Sequence, residues 1–157
     1  MSILIRKAQR RDAAIIAEYN IAMALETENK ALQPEVVHAG VLSLFDQPQA
    51  GFYVVAEVDG EIAGCLMITT EWSDWRNGIF WWVQSVYIAP DYRRQGLYST
   101  LYLSIKEMAK DEMNVCGFRL YVDKDNGSAQ KTYEKLGMEP MHYLMYEELV
   151  EKTNSIE

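Results

Sequence analysis

Residues 78–110 read GIFWWVQSVYIAPDYRRQGLYSTLYLSIKEMAK and divide into a strand, a turn and a helix. Phe80, Trp81, Trp82, Val83, Val86, Tyr87 and Ile88 form a β-branched and aromatic run between Gly78 and Pro90, which is the composition of a buried strand. Leu97, Leu101, Ile105 and Met108 recur at i, i+4, i+8 and i+11, so they share one helix face. The join is Arg93-Arg94-Gln95-Gly96-Leu97-Tyr98. A glycine lets the backbone come close to a ligand, and a helix start offers unpaired N–H groups to an anion. With two arginines beside them, these features read as a phosphate-binding turn. Neither common nucleotide loop is present: no GxxxxGK run exists, and a GxGxxG fingerprint would need more than Gly96 here.

The rest of the composition narrows the class. A chain of 157 residues fits one domain, 1–157, with a real core. Its 49% hydrophobic and 24% charged residues are those of a soluble globular protein. A net charge of −8 argues against nucleic acid or an anionic membrane as the main partner, and it suits a cationic small substrate. Cys65 and Cys116 lie in apolar runs without CxxC spacing, which predicts reduced core residues in a cytoplasmic protein. The N-terminal residues lack a signal-peptide core, and no apolar run is long enough to span a bilayer. His38 and His142 are the only histidines, so no metal site is expected.

In chain order, Ile3 to Ala8 alternates as a strand, and Asp12 can cap a helix reaching about Leu25 with Ile16, Tyr19 and Met23 inward. Glu26 to Lys30 is a polar break. Pro34 suits the first turn of a second helix burying Val37, Val41, Leu44 and Phe45. Phe52 to Val58 and Glu61 to Thr70 are strands joined by the hairpin pair Asp59-Gly60. Glu71 to Gly78 reads as a loop dense in aromatic and charged groups. Gly117 to Asp123 is a fifth strand, Gly127 to Leu136 a helix stopped by Gly137, and His142 to Leu149 a last strand.

Two local patterns carry a family resemblance. Arg93 and Gly96 match the first and fourth positions of the acyl-CoA-binding motif Q/R-x-x-G-x-G/A, with Tyr98 in place of the small sixth residue. The stretch from Leu120 to Met138 resembles N-x-x-A-x-x-x-Y-E/Q-K-x-G-F. Asn126, Ala129, Tyr133, Glu134, Lys135 and Gly137 match, and Met138 replaces the final aromatic. Both motifs are those of the GNAT superfamily of N-acetyltransferases. The element order β-α-α-β-β-β-α-β-α-β also resembles that fold, from roughly Ile3 to Glu148. The resemblance implies an α/β (α+β) GNAT acyl-CoA N-acyltransferase fold, with a mixed sheet of about six to seven strands flanked by about four helices. EWSDWRN followed by FWWVQSVY is similar to a bacterial subgroup whose acceptor is unassigned.

That resemblance also implies a chemistry and a set of roles. Acetyl-CoA would be the co-substrate and an amine of a small molecule or peptide the acceptor, with no metal, nucleic acid or membrane, and a homodimer allowed. An amine of pKa near ~10 is only about one part in a thousand neutral at pH 7, so its proton needs an acceptor. The thioester carbonyl needs a donor as charge develops. The central strand at Val86, Tyr87 and Ile88 would supply the backbone N–H, with a β-bulge nearby. Arg93, Arg94, Gln95, Gly96, Leu97, Tyr98 and Ser99 would hold the pyrophosphate. Asn126 and Ala129 would support coenzyme binding, although Asn126 also suits a helix N-cap. Tyr133 would protonate the departing thiolate.

The base is open, because Gln84 stands where some members carry glutamate, and an amide accepts no proton at neutral pH. Glu26, Glu28, Glu71 and Asp74 are the candidates, and a water chain is equally admissible. With Trp72, Trp75 and one of Trp81 and Trp82, these acids would make a negative, aromatic acceptor wall that favours protonated amines. Gln84 and Tyr98 also suit a second reading, a non-catalytic acyl-CoA-binding module. Coenzyme protection with no thiol release from any amine would single that module out.

Overall fold

The computed structural model describes residues 1–151. A first compact unit spans Met1–Val122, and a second begins at Asp123. In the first, strands β1 (Ile3–Lys7), β2 (Gly51–Val58), β3 (Glu61–Ser73), β4 (Gly78–Ile88) and β5 (Val115–Arg119) form one sheet in the order β1-β2-β3-β4-β5. The first four are antiparallel neighbours, and β5 runs parallel to β4. A parallel pair needs a crossover, and helix α3 (Leu97–Lys110) makes it. Helices α1 (Ala13–Glu28) and α2 (Pro34–Phe45) join β1 to β2.

Sequence chemistry explains the joins. Asp59 and Gly60 both take positive φ, 51° and 87°, as a two-residue hairpin with the twist of its strands requires. Pro34 opens α2 as expected. Asp12 departs from expectation, since its side chain makes no capping bond to α1. It accepts instead from the Arg6 guanidinium at 2.8 and 3.2 Å and from the Gln9 N–H at 2.7 Å, tying β1 to the helix entry. That guanidinium holds the Asp12 carboxyl below the usual carboxylate range.

Register assigns the two sheet faces. Paired residues point to the same side, so Met67, Thr69 and Glu71 of β3 share a face with Gln84, Trp82 and Phe80 of β4. Tyr87 and Cys65 lie on it too, packed with Ala13, Ile16 and Ala17 of α1 and Val41 of α2. The opposite face carries Ile68, Trp81, Val83 and Phe118, and α3 covers it: Tyr102 meets Phe118 edge-on at 6.0 Å. Leu97, Leu101 and Ile105 are buried as their spacing predicts, with Met108 half-buried.

Several boundaries move. Among the described residues the sheet has five strands rather than six or seven. No strand forms over 142–149 among the described residues, and the fifth strand is Val115–Arg119, earlier than Gly117 to Asp123. β3 runs on through Glu71 and Trp72 to Ser73, shortening the loop to residues 74–77. Edge pairing with β4 decides this, because Glu71 and Trp72 sit opposite Phe80 and Ile79. Helix α1 continues to Glu28 and stops at Asn29, whose φ of 51° is the left-handed conformation of a helix end. Cys65 is buried, its thiol pushed up to about 12 by burial, but Cys116 is exposed. The register shift between Ile79 and Phe80 leaves Cys116 opposite no β4 partner.

In the second unit, α4 (Gly127–Lys135) begins at Asn126, whose Oδ1 accepts from the Ala129 N–H at 3.1 Å. Gly137, at φ 102°, ends it, with the Met138 N–H donating to the Tyr133 carbonyl at 3.0 Å. Tyr133 is half-buried.

Candidate active site

The sheet carries the expected bulge. Gly64 and Cys65 pair with Ile88 and Tyr87, but Met67 pairs with Gln84, so β4 has one residue more than β3 across this interval. The extra residue lies at Ser85–Val86, and Ser85 takes a positive φ of 52°. A bulge re-aims the backbone and interrupts pairing. On the other edge, pairing with β5 ends at Trp82 and Arg119, while β4 continues for six further residues to Ile88. On that edge no strand among the described residues pairs with β4 beyond Trp82. Backbone groups along that edge need another partner.

The turn lies just beyond. Residues Pro90–Tyr92 form one 3-10 turn, Arg94 and Gly96 take φ of 64° and 74°, and α3 starts at Leu97. Gly96 is the N-cap and no side chain caps the helix. The first N–H groups of α3 therefore have no intrahelical partner. A Cβ built on Gly96 would meet nothing within 4 Å, so the space beside this residue is open. Tyr98, bulky for its motif position, is turned along the helix, its ring stacked on Tyr102 at 6.3 Å and 13°. The residues fit a pyrophosphate held by main-chain donors.

Arg93 is otherwise engaged. Its Nε donates to the Ile88 carbonyl at 2.8 Å and its Nη2 to Glu26 Oε1 at 2.9 Å, with the guanidinium over the Tyr87 ring at 5.2 Å. Tyr87 donates its hydroxyl to Glu26 Oε2 at 2.7 Å. These bonds from Tyr87 and then Arg93 lower the pKa of Glu26, and burial together with Glu26 raises that of Tyr87. Arg93 thus fastens the end of α1 to β4, and both Arg93 and Arg94 are exposed in the turn.

A second cluster stands at the other end of the same face. Trp82 Nε1 donates to Glu71 Oε1 at 2.8 Å, and Arg119 Nη1 donates to the same oxygen at 2.9 Å. Both bonds, Trp82 first, lower the pKa of Glu71. The Arg119 guanidinium lies 3.7 Å from the Phe80 ring centre, and Arg76 approaches that ring at 5.0 Å. Gly117 makes this possible, because a Cβ there would stand 2.6 Å from the Phe80 ring. Between the clusters, Gln84 Nε2 donates to Thr69 Oγ1 at 2.6 Å.

The acids of the expected wall are therefore divided. Glu26 and Glu71 are each bound by an arginine, and neither is placed in a loop: Glu26 and Glu28 belong to the last turn of α1, and Glu71 to β3. Glu28 and Asp74 are exposed. The tryptophans are divided too. Trp81 is buried and Trp82 is half-buried beside Glu71, as alternation predicts. Trp72 pairs with Ile79 on the α3 face, away from Glu71, and Trp75 is 87% exposed in the turn. Arg119, Thr69 and Tyr121, whose ring lies 6.2 Å from Trp82, carry no motif signal in the sequence. Motifs mark the coenzyme side, and only period-2 bookkeeping across β3 and β5 points to the other.

Comparison with known proteins agrees with this geometry. Residues 16–138 match the model of the acetyltransferase (GNAT) family. A protein of Bacillus subtilis (strain 168) that carries the name putative ribosomal protein bS18-alanine N-acetyltransferase is 35% identical over 97 residues. That match spans 62% of this chain and 59% of the relative. The crystal structure of a possible acetyltransferase from Clostridium difficile 630 is 42% identical, with a TM-score of 0.89 over 97% of this chain and 100% of that one. Glucosamine-6-phosphate N-acetyltransferase from Arabidopsis thaliana shares the fold at 18% identity, with a TM-score of 0.72 over 96% of this chain and all of that one. An uncapped helix start, a bulged central strand and a family match over residues 16–138 converge: the chain belongs to the acetyltransferase (GNAT) family.

Proposed function

We propose that this protein transfers the acetyl group of acetyl-CoA, the family's co-substrate, to an amine of a small molecule or peptide. The bulge at Ser85–Val86, beside the β4 edge left by β5, is the observation that carries this reading. The thioester carbonyl lies along that edge and takes a hydrogen bond from the Val86 N–H, with Tyr87 and Ile88 flanking the coenzyme arm. Arg94 to Ser99 hold the pyrophosphate through main-chain donors, Arg93 acting only by bracing the turn. Asn126 and Ala129 start the helix that presents Tyr133, whose motif match supports its role as proton donor to the departing thiolate. Two unpaired cysteines suit a reducing cytoplasm. One domain over 1–157, and homodimerisation, belong to the same proposal.

Neither Glu26 nor Glu71 is tuned as a base. A general base works best with a pKa near the working pH, and the pKa values of these two acids are moved the other way by their donors. Gln84 is an amide fixed to Thr69. Glu28, Asp74 and a water chain stand as the routes for the amine proton, and the names of relatives supply two unlike amines, an alanine and an amino sugar phosphate. Thiol release from acetyl-CoA across a panel of amines tests the reading, with Tyr133→Phe alongside. That variant should lose roughly 10²-fold in turnover at unchanged coenzyme affinity and melting temperature. Coenzyme binding without thiol release from any amine would replace the enzyme by a coenzyme-binding module.

A further inference from the structure

We infer that Arg119 sets acceptor specificity by taking an anionic group, carboxylate or phosphate, that lies about four strand residues from the acceptor amine. This rests on the acetyl-transfer reading, which puts the reacting amine at the Ser85–Val86 bulge. Arg119 pairs with Trp82 in register, on the sheet face that holds Gln84 and Thr69. From Val86 back to Trp82 is four residues, or roughly 13 Å at about 3.3 Å each. The guanidinium leans over Phe80, farther still from the bulge.

Donor geometry fixes the class of ligand. Arg119 and Arg76 both approach Phe80, Glu71 is bound by Arg119, and Arg76 and Asp74 are both exposed in the turn. Among the described residues, Arg119 spends one donor, Nη1, on Glu71. The side chain is 29% exposed, held by the Phe80 ring and by a carboxylate that fixes its orientation. A planar fork with spare donors recognises carboxylate or phosphate bidentately. An acceptor that joins bulge and fork in extended form has the length of about four peptide residues.

The decisive comparison is tetraglycine against its C-terminal amide, with glycine against glycinamide as the short pair. An ω-aminoalkyl phosphate of matching span, against its parent alcohol, separates phosphate from carboxylate as the anion. The wild type should favour the long acid over its amide about tenfold in KM, with kcat little changed, and should not favour glycine over glycinamide. Arg119→Met should erase the long-chain preference and Arg119→Lys should restore part of it. Glu71→Gln should enlarge it, because the competing carboxylate is gone. Equal KM within both long pairs, acid with amide and phosphate with alcohol, or a preference that survives Arg119→Met, overturns the inference. Calorimetric binding of the same pair with coenzyme A present needs no turnover. A protein that releases no thiol with any amine thus fails the acetyl-transfer reading separately, while binding still decides the role of Arg119.

Discussion

The two carboxylates at opposite ends of one sheet face are held by the same kinds of group and have different surroundings. Glu26 and Glu71 each accept from one arginine and one aromatic side chain. Glu26 sits in the last turn of α1 and reaches across to β4 and to the turn before α3. Glu71, Trp82 and Arg119 lie on three adjacent strands, with Phe80 beneath the guanidinium. The first cluster depends on a helix end and a glycine-containing turn keeping their places. The second is carried by backbone ladders that fix its spacing. Under the proposed function, the fixed ion pair on the sheet would serve recognition, and the tether between a helix and the turn would respond to whatever occupies that turn.

Thermal stability should separate the two clusters most. Arg119→Ala removes a half-exposed ion pair and a close cation–ring contact, together worth about 1–2 kcal/mol. In a chain of this size that is a fall of a few degrees in melting temperature. Arg93→Ala should cost less, because Arg93 and Glu26 are 42% and 41% exposed and salt screens them. Equal losses in thermal melts would mean that the sheet lends its cluster no added rigidity.

Coenzyme affinity should distinguish them next. Glu26→Gln removes a negative charge near the phosphate turn and loosens Arg93, so coenzyme A should bind about threefold tighter at low salt, an advantage lost at high salt. Glu71→Gln should leave that affinity unchanged. Titration of both variants at two ionic strengths measures this. A Glu71→Gln effect as large as that of Glu26→Gln would merge the two clusters into one.

The smallest effect lies in acid. Both glutamates have folded pKa values below the ordinary one. Each therefore contributes stability above its unfolded pKa, and that contribution is lost as pH falls through the folded pKa. Below about pH 5 the wild type should lose stability more steeply than Glu71→Gln, with Glu26→Gln in between because its pair is more exposed. Parallel acid limbs for all three proteins would contradict the folded-state ion pairs.

The side proposed for the coenzyme is legible in the sequence because its chemistry is local. Gly96, the Arg93-Arg94 pair and the period of Leu97, Leu101 and Ile105 lie within thirteen residues, and strand, turn and helix appear where they predict. The Ser85–Val86 bulge also lies where the resemblance implies it. The acceptor side is legible only in part. Its residues stand out as a dense stretch, yet a loop reading makes Glu71 a loop acid and Trp72 its neighbour on one wall. Such a reading cannot see that a strand sends those two side chains to opposite faces.

Short windows of sequence are enough for the family motifs, the helix-start turn, the Asp59-Gly60 hairpin and the buried face of α3, since each depends on residues close together in the chain. Only the folded chain shows that Arg93 serves Glu26 and that Arg119 meets Glu71 across 48 residues. The five-stranded sheet, which leaves β4 unpaired on one edge beyond Trp82, belongs with them. Charge pairing between distant residues follows from strand register, and register is set by the summed packing of the sheet faces, which no short window of sequence contains.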